Sequence, residues 1–185
     1  MDDLIAFLRA RLDEDEQWAL AASRPYPYAD GAPGVPESGV RWQWVEGPDW
    51  EPTRPDPAVR EFVAEPGVSC NLVSVETWPS SGRLMPRPVA TEIIEMDSAA
   101  AGHIVRHDPA RVLREVAAKR GELADHTLHD DGESCRRCVV WGVQLSLDPG
   151  PAPAVAARVP FPCPTLRRLA LPYADHKDYQ EGWKP

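Results

Sequence analysis

The sequence predicts an α+β fold, an antiparallel sheet of about three strands packed by an N-terminal and a central helix. Three observations lead there. Two stretches, one at the N-terminus and one over residues 103–126, repeat apolar residues with the period of a helix. Three runs between them alternate apolar and polar residues or are rich in β-branched ones. The connections between those runs are simple, as antiparallel neighbours allow, and such a sheet leaves an open face for a helix to cover.

The elements follow in order. Asp2 or Asp3 caps a first helix in which Leu4, Ile5, Leu8 and Leu12 recur at helical spacing, while Arg9, Arg11, Asp13 and Glu14 fall elsewhere; the pattern reaches Ala22. Residues 24–38 carry four prolines and two glycines and read as a loop. In VRWQWVE, residues 40–46, alternation puts Val40, Trp42 and Trp44 on one face of a strand. DPAVREFVA, from Asp56, offers a cap followed by Pro57 at a first helical position, which predicts a short helix. Residues 68–78 and 88–97 are the other two strands.

The central helix has the strongest signal. Asp108 before Pro109 repeats the cap-then-proline start, and Val112, Leu113, Val116, Arg120 and Leu123 lie along one side. VVWGVQLSL then predicts a strand, DPGPAPA a turn or loop and VAARVPF a returning strand. A last helix opens at Pro164 with Leu166, Leu169 and Ala170 inward and bends or ends near Pro172; KDYQEGWKP reads as tail. Residues 1–126 are expected to form the α+β core, with 127–185 a metal-clipped segment packed on it as one domain.

A chain of 185 residues can bury about 70% of its unfolded surface. Its 43% hydrophobic and 26% charged residues are those of a globular protein. Its 21 prolines are about twice the average share, so short elements and long ordered loops are expected. The net charge of −9 disfavours nucleic-acid duplexes, because that affinity comes largely from cations that displace counterions. The opening MDDLIAFLRARLDEDE has acids where a signal peptide is positive. No run approaches the ~18 apolar residues of a membrane span. A cytoplasmic, membrane-free protein is expected, in which four cysteines are thiols or metal ligands before they are disulfides.

The chemistry concentrates in HTLHDDGESCRRC, residues 126–138. Zinc takes about four N or S ligands in a tetrahedron, and Cys135 and Cys138 can supply two adjacent corners from one loop. Cys163, directly before Pro164, sits where a helix N-terminus favours the thiolate that binds metal. The order of loop pair, hairpin-like segment and helix-start ligand resembles a treble clef, with one helix ligand where that layout takes two. His126 or His129 would complete a Cys3His site, closed and therefore structural. A redox dithiol is the competing reading, but it wants its first cysteine at the start of a helix, whereas Val139, Val140 and Trp141 continue here as a strand. Unliganded thiols are the third. Cys70, in an apolar strand, reads as a core thiol.

Other constellations are weaker. His103 and His107 are spaced to share a metal on a helix, but Ile104 stands where a zincin needs its glutamate, so packing or capping is the expected role. Trp42, Trp44, Trp50 and Trp78 read as sheet core. Glu14, Asp15 and Glu16 read as a solvated face, and His176 has no evident partner. No Walker loop, dinucleotide fingerprint or nucleophile elbow is present.

Three blocks, MDDLIAFLRARLDEDE, HIVRHDPARVLREVAAKR and CPTLRRLALPYADHKDY, resemble an uncharacterised family of small actinobacterial and actinophage proteins, a domain of unknown function. Members similar to this chain carry a histidine shortly after an AKR segment, then Cys-x-x-Cys, then PCPT. The corresponding positions are Lys119-Arg120 leading to His126, then Cys135 and Cys138, then Pro162 to Thr165. The resemblance thus implies His126 over His129, and an association with phages and mobile elements that fits an accessory or host-interaction role. It implies no reaction.

The leading expectation is a non-enzymatic interaction or regulatory module whose acidic surface meets a protein partner. Two alternatives stand beside it. One is a nucleic-acid-associated zinc protein with a basic patch of Arg111, Arg114, Lys119, Arg120, Arg136 and Arg137. The other is an enzyme with a cleft near His103, His107 and Asp108.

Overall fold

The computed structural model describes residues 2–23, 41–47, 51–56, 58, 61–63, 70–80, 82–93, 95–143 and 154–185. The predicted loop at 24–38, Val40, Trp50 and Pro57 lie outside them. The chain divides into a terminal unit, Met1–Glu14 with Val116–Pro185, and a central unit, Asp15–Glu115. Both divisions fall inside helices. Among the described residues no helix is long and apolar enough to cross a membrane.

Helix α1 spans Asp2–Ser23. It begins at Asp2, so the two aspartates lie in its first turn, where carboxylates oppose the positive end of the helix. Leu4, Leu8 and Leu12 are buried as their spacing requires, and Phe7 joins them.

The central unit holds β1 (Trp42–Glu46), β2 (Glu51–Thr53), β3 (Glu61–Val63), β4 (Cys70–Ser80), β5 (Arg83–Ile93) and β6 (Glu95–Asp97). Four of these form an antiparallel sheet in the order β2-β1-β4-β5, and β3 pairs separately with β6. Where a helix was expected from Asp56, residues Glu61–Val63 form a strand. Asp56 Oδ1 accepts the N–H of Ala58 in a local turn (2.9 Å), and Phe62 pairs across to Met96. A non-local partner outweighs the cap-and-proline signal there, because strand preference is set largely by the neighbours a strand finds.

The run 88–97 is two strands, not one. Glu92, near the end of β5, adopts φ of +59°, a left-handed conformation, and Asn71 Oδ1 accepts its N–H at 3.0 Å. A second helix, α2 (Ser98–Arg106), follows immediately, with Asp97 accepting from Ala100 N at its start. The core gathers Trp44, Cys70, Leu72 and Ala101, with Trp42, Ile104 and Val105 packed around them. Trp44 Nε1 donates to the Ala101 carbonyl at 3.0 Å, which satisfies the indole and fastens α2 to the sheet. Val45, pointing oppositely to Trp44, is equally buried, so both faces of the sheet are covered at its centre.

Helix α3 (Pro109–Asp125) starts at Pro109 as expected, with Asp108 Oδ1 accepting Arg111 N at 2.8 Å. In the terminal unit it buries Val116 and Leu123, while Arg120 leaves the apolar stripe to meet Asp13 at 2.6 Å. Beyond it come the hairpin of β7 (Ser134–Val143) and β8 (Ala154–Pro160), then α4 (Pro164–Ala170), which buries Leu166 and Ala170 before tightening into a 3-10 turn at Leu171–Tyr173. Residues 177–185 are not a loose tail. Trp183 is buried, its ring 4.9 Å from Phe7 and 5.7 Å from Tyr179.

Candidate metal centre

Three segments of the terminal unit carry His126, Cys135, Cys138 and Cys163 to one point, where their ligand atoms all lie within 4.8 Å of one another. His126 follows the last residue of α3, its N–H still bonded to the Glu122 carbonyl at 3.0 Å, so the helix aims its ring. The chain then folds back. Arg136 N donates to Thr127 O (2.8 Å), His129 N donates to Ser134 O (2.8 Å), and Gly132 makes the turn at φ of +75°. Asp131 holds this turn: Oδ1 accepts the N–H groups of Glu133 and Ser134, each at 2.9 Å, and Oδ2 meets the Ser134 hydroxyl. These bonds keep its carboxyl well below the ordinary carboxylate range, the Ser134 hydroxyl foremost.

Cys135 and Cys138 both belong to β7, and three residues apart on a regular strand they would face opposite sides. The register supplies the remedy. Ser134 pairs with Pro160 but Val139 with Arg158, so the strand is irregular across the cysteine pair and both sulfurs turn the same way. Cys163 occupies the N-cap of α4, with its side chain outside the capping role and therefore available to the cluster.

His126 Nδ1 lies 3.3 Å from Cys138 Sγ, 3.4 Å from Cys163 Sγ and 3.6 Å from Cys135 Sγ. Metal–nitrogen and metal–sulfur bonds of ~2.0 and ~2.3 Å at tetrahedral angles make N···S edges of roughly 3.5 Å, so the donor set fits one small cation. Nε2, on the far side of the ring, faces Glu122 Oε2 at 3.3 Å, a carboxylate placed to fix the tautomer that leaves Nδ1 bare. Cys135 and Cys163 are fully buried, His126 nearly so, and Cys138 is half-buried. None of the four cysteines is in a disulfide.

The thiols respond to one another. Burial opposes ionisation of Cys135, but the backbone N–H groups of Cys138 and Arg137 and the two neighbouring sulfurs outweigh it and lower its pKa. Cys138 is pushed up to about 12 by burial and by Cys163 and Cys135. Three thiolates cannot share this volume unless a cation joins them.

The other predicted residues fall elsewhere. His129 faces Asp131, with Nδ1 at 3.2 Å from Oδ2. Cys70 is buried in the sheet core, as the apolar strand implied. His176, without an evident partner in the sequence, packs on Phe7 and meets Arg11. Of the basic patch, Arg111, Arg120 and Arg136 each meet a carboxylate, from Glu115, Asp13 and Asp130. His103 lies within α2 and His107 ends it, their rings stacked at 4.1 Å beside a cleft of about 640 Å³. Glu122 and Asp131 were not singled out from sequence, although Glu122 stands one helical turn before His126 and Asp131 precedes a glycine in a turn.

No curated protein and no solved structure matches the chain. A family model matches residues 1–185, the whole chain, in agreement with the resemblance drawn from its terminal and central blocks. The chain belongs to that family, a family of unknown function designated DUF6221.

Proposed function

We propose that His126, Cys135, Cys138 and Cys163 hold one structural zinc ion, and that the protein is a small cytoplasmic accessory or regulatory module acting through protein contacts. The observation that carries the metal is the convergence of four ligand atoms within 4.8 Å, three of them thiol sulfurs. Soft sulfur with one imidazole suits zinc, and a set supplied wholly by the protein keeps no position for substrate or water. The role is therefore to crosslink α3, β7 and α4, and zinc in such sites contributes binding energy directly to folding. A reducing compartment keeps the thiols available.

Support for the interaction role comes from the hairpin beyond the site. Val139, Val140 and Trp141 are exposed on β7, Trp141 at 74%, a cluster of apolar surface on a strand whose base the metal would steady.

Elemental analysis of the purified full chain tests the metal. One equivalent of zinc is expected, retained in Cys70→Ala and lost in Cys135→Ser with a lower melting temperature. A folded protein without metal, or a bond between Cys135 and Cys138, overturns the reading.

A further inference from the structure

The cleft in the central unit has a composition at odds with the rest of the protein. A chain of net charge −9 presents there Arg54, Arg106 and Arg111 together with His103 and His107, and among the described residues no carboxylate lines the space. Among the described residues, the guanidinium groups of Arg54 and Arg106 have no acidic partner. Arg111 is partly committed, its Nε to Glu115 at 2.7 Å and its Nη1 to the Arg106 carbonyl at 3.2 Å. That second bond ties it to the backbone that carries Arg106. Uncompensated cations gathered in a concave, partly apolar space repel one another, and an anion relieves the repulsion.

The framework behind these groups is rigid. The corner between α2 and α3 is closed from both sides, with His107 N on the carbonyls of His103 and Ile104, and Asp108 capping Arg111. Arg54 follows the end of β2, next to Thr53, and lines the same cleft. The two imidazoles are stacked, and His107 Nδ1 lies 3.0 Å from the His103 carbonyl. A carbonyl only accepts, so Nδ1 carries the proton and the rest of the ring is left to face a ligand. Pro55 and Val105 add apolar wall. The volume of about 640 Å³ lies in the range of sites that hold one small molecule.

The geometry points to a binding site for a small organic oxyanion, a phosphate or carboxylate head held by Arg54 and Arg106 with its body against the apolar wall and the histidine stack. Arginine suits such heads because its donors form a planar fork that matches two oxygens at once. A small molecule fits better than a nucleic-acid strand, since the cations gather in a concave space of about 640 Å³ while Arg111, Arg120 and Arg136 of the basic patch are matched with acids. The residues that line the site all belong to the central unit, and those of the candidate metal cluster to the terminal unit.

Titration calorimetry on the metal-replete full chain tests it, with adenosine monophosphate, citrate, adenosine and a single-stranded DNA oligomer as probes. The monophosphate or citrate should bind, which also decides between phosphate and carboxylate, and adenosine should not. Arg106→Gln and Arg54→Gln, both at exposed side chains, should each weaken binding by about tenfold or more and leave the melting temperature unchanged. Absence of binding by both anions overturns the proposal. So does affinity that survives both substitutions, or DNA binding tighter than either small anion.

Discussion

The metal centre and the arginine cleft are both clusters of like groups, but they handle repulsion in opposite ways. At the candidate metal centre three sulfurs, two buried and one half-buried, gather around one imidazole, and as thiolates they would repel one another unless a cation joined them. In the cleft the cationic side chains stay solvated, so the fold survives with the space unfilled. The lesson is that burial decides whether a ligand is part of the fold or a visitor to it. A buried donor set couples metal to stability, whereas an exposed one couples an anion only to occupancy.

That contrast can be broken most forcefully at Cys163. Cys163→Ser should lower stability by at least about 3 kcal/mol and remove metal, with hydrogen exchange rising first over residues 126–170. Trp44→Ala is the counterpart in the central unit. It empties a buried indole site and strands the Ala101 carbonyl, costing about 3–5 kcal/mol, and should raise exchange over residues 70–93 while metal content stays at one equivalent. Loss of metal in that variant would show that the two regions are not separately held.

Smaller changes sharpen the picture. Glu122→Gln weakens the hold on the His126 ring and should reduce metal affinity by about tenfold, measured by chelator competition, with little change in fold. Asp131→Asn should have the smallest effect, and its sign depends on pH. The folded-state pKa of Asp131 is depressed, so its contribution is present above the ordinary aspartate value of ~3.9 and is lost as pH falls below it. The variant should therefore be less stable than its parent near neutrality and converge with it in acid, as read by urea midpoints across that range.

The members of the candidate metal cluster were legible because metal chemistry needs few residue types at short spacing. The Cys135 and Cys138 pair and the helix-start Cys163 could be read from local pattern, while the choice of His126 came from the family resemblance. The long helices were legible for the same reason, since period and caps act within a turn or two. Glu61–Val63 misled because Asp56 and Pro57 carry a genuine helix signal upstream, and the distant strand at Glu95–Asp97 pairs with these residues as β. The tail misled because nothing near Trp183 announces Phe7 as its partner.

What the sequence alone determined is therefore the set of groups able to act, the thiols, the imidazole and the two capped or periodic helices, since each depends on neighbours along the chain. Only the tertiary structure decided which groups meet. It bent β7 so that Cys135 and Cys138 face one way, set Glu122 behind His126, and placed Arg54 on the same cleft as Arg106 and Arg111. Those pairings join residues far apart in the chain, and their energies arise from packing and burial that exist only once the chain has closed on itself.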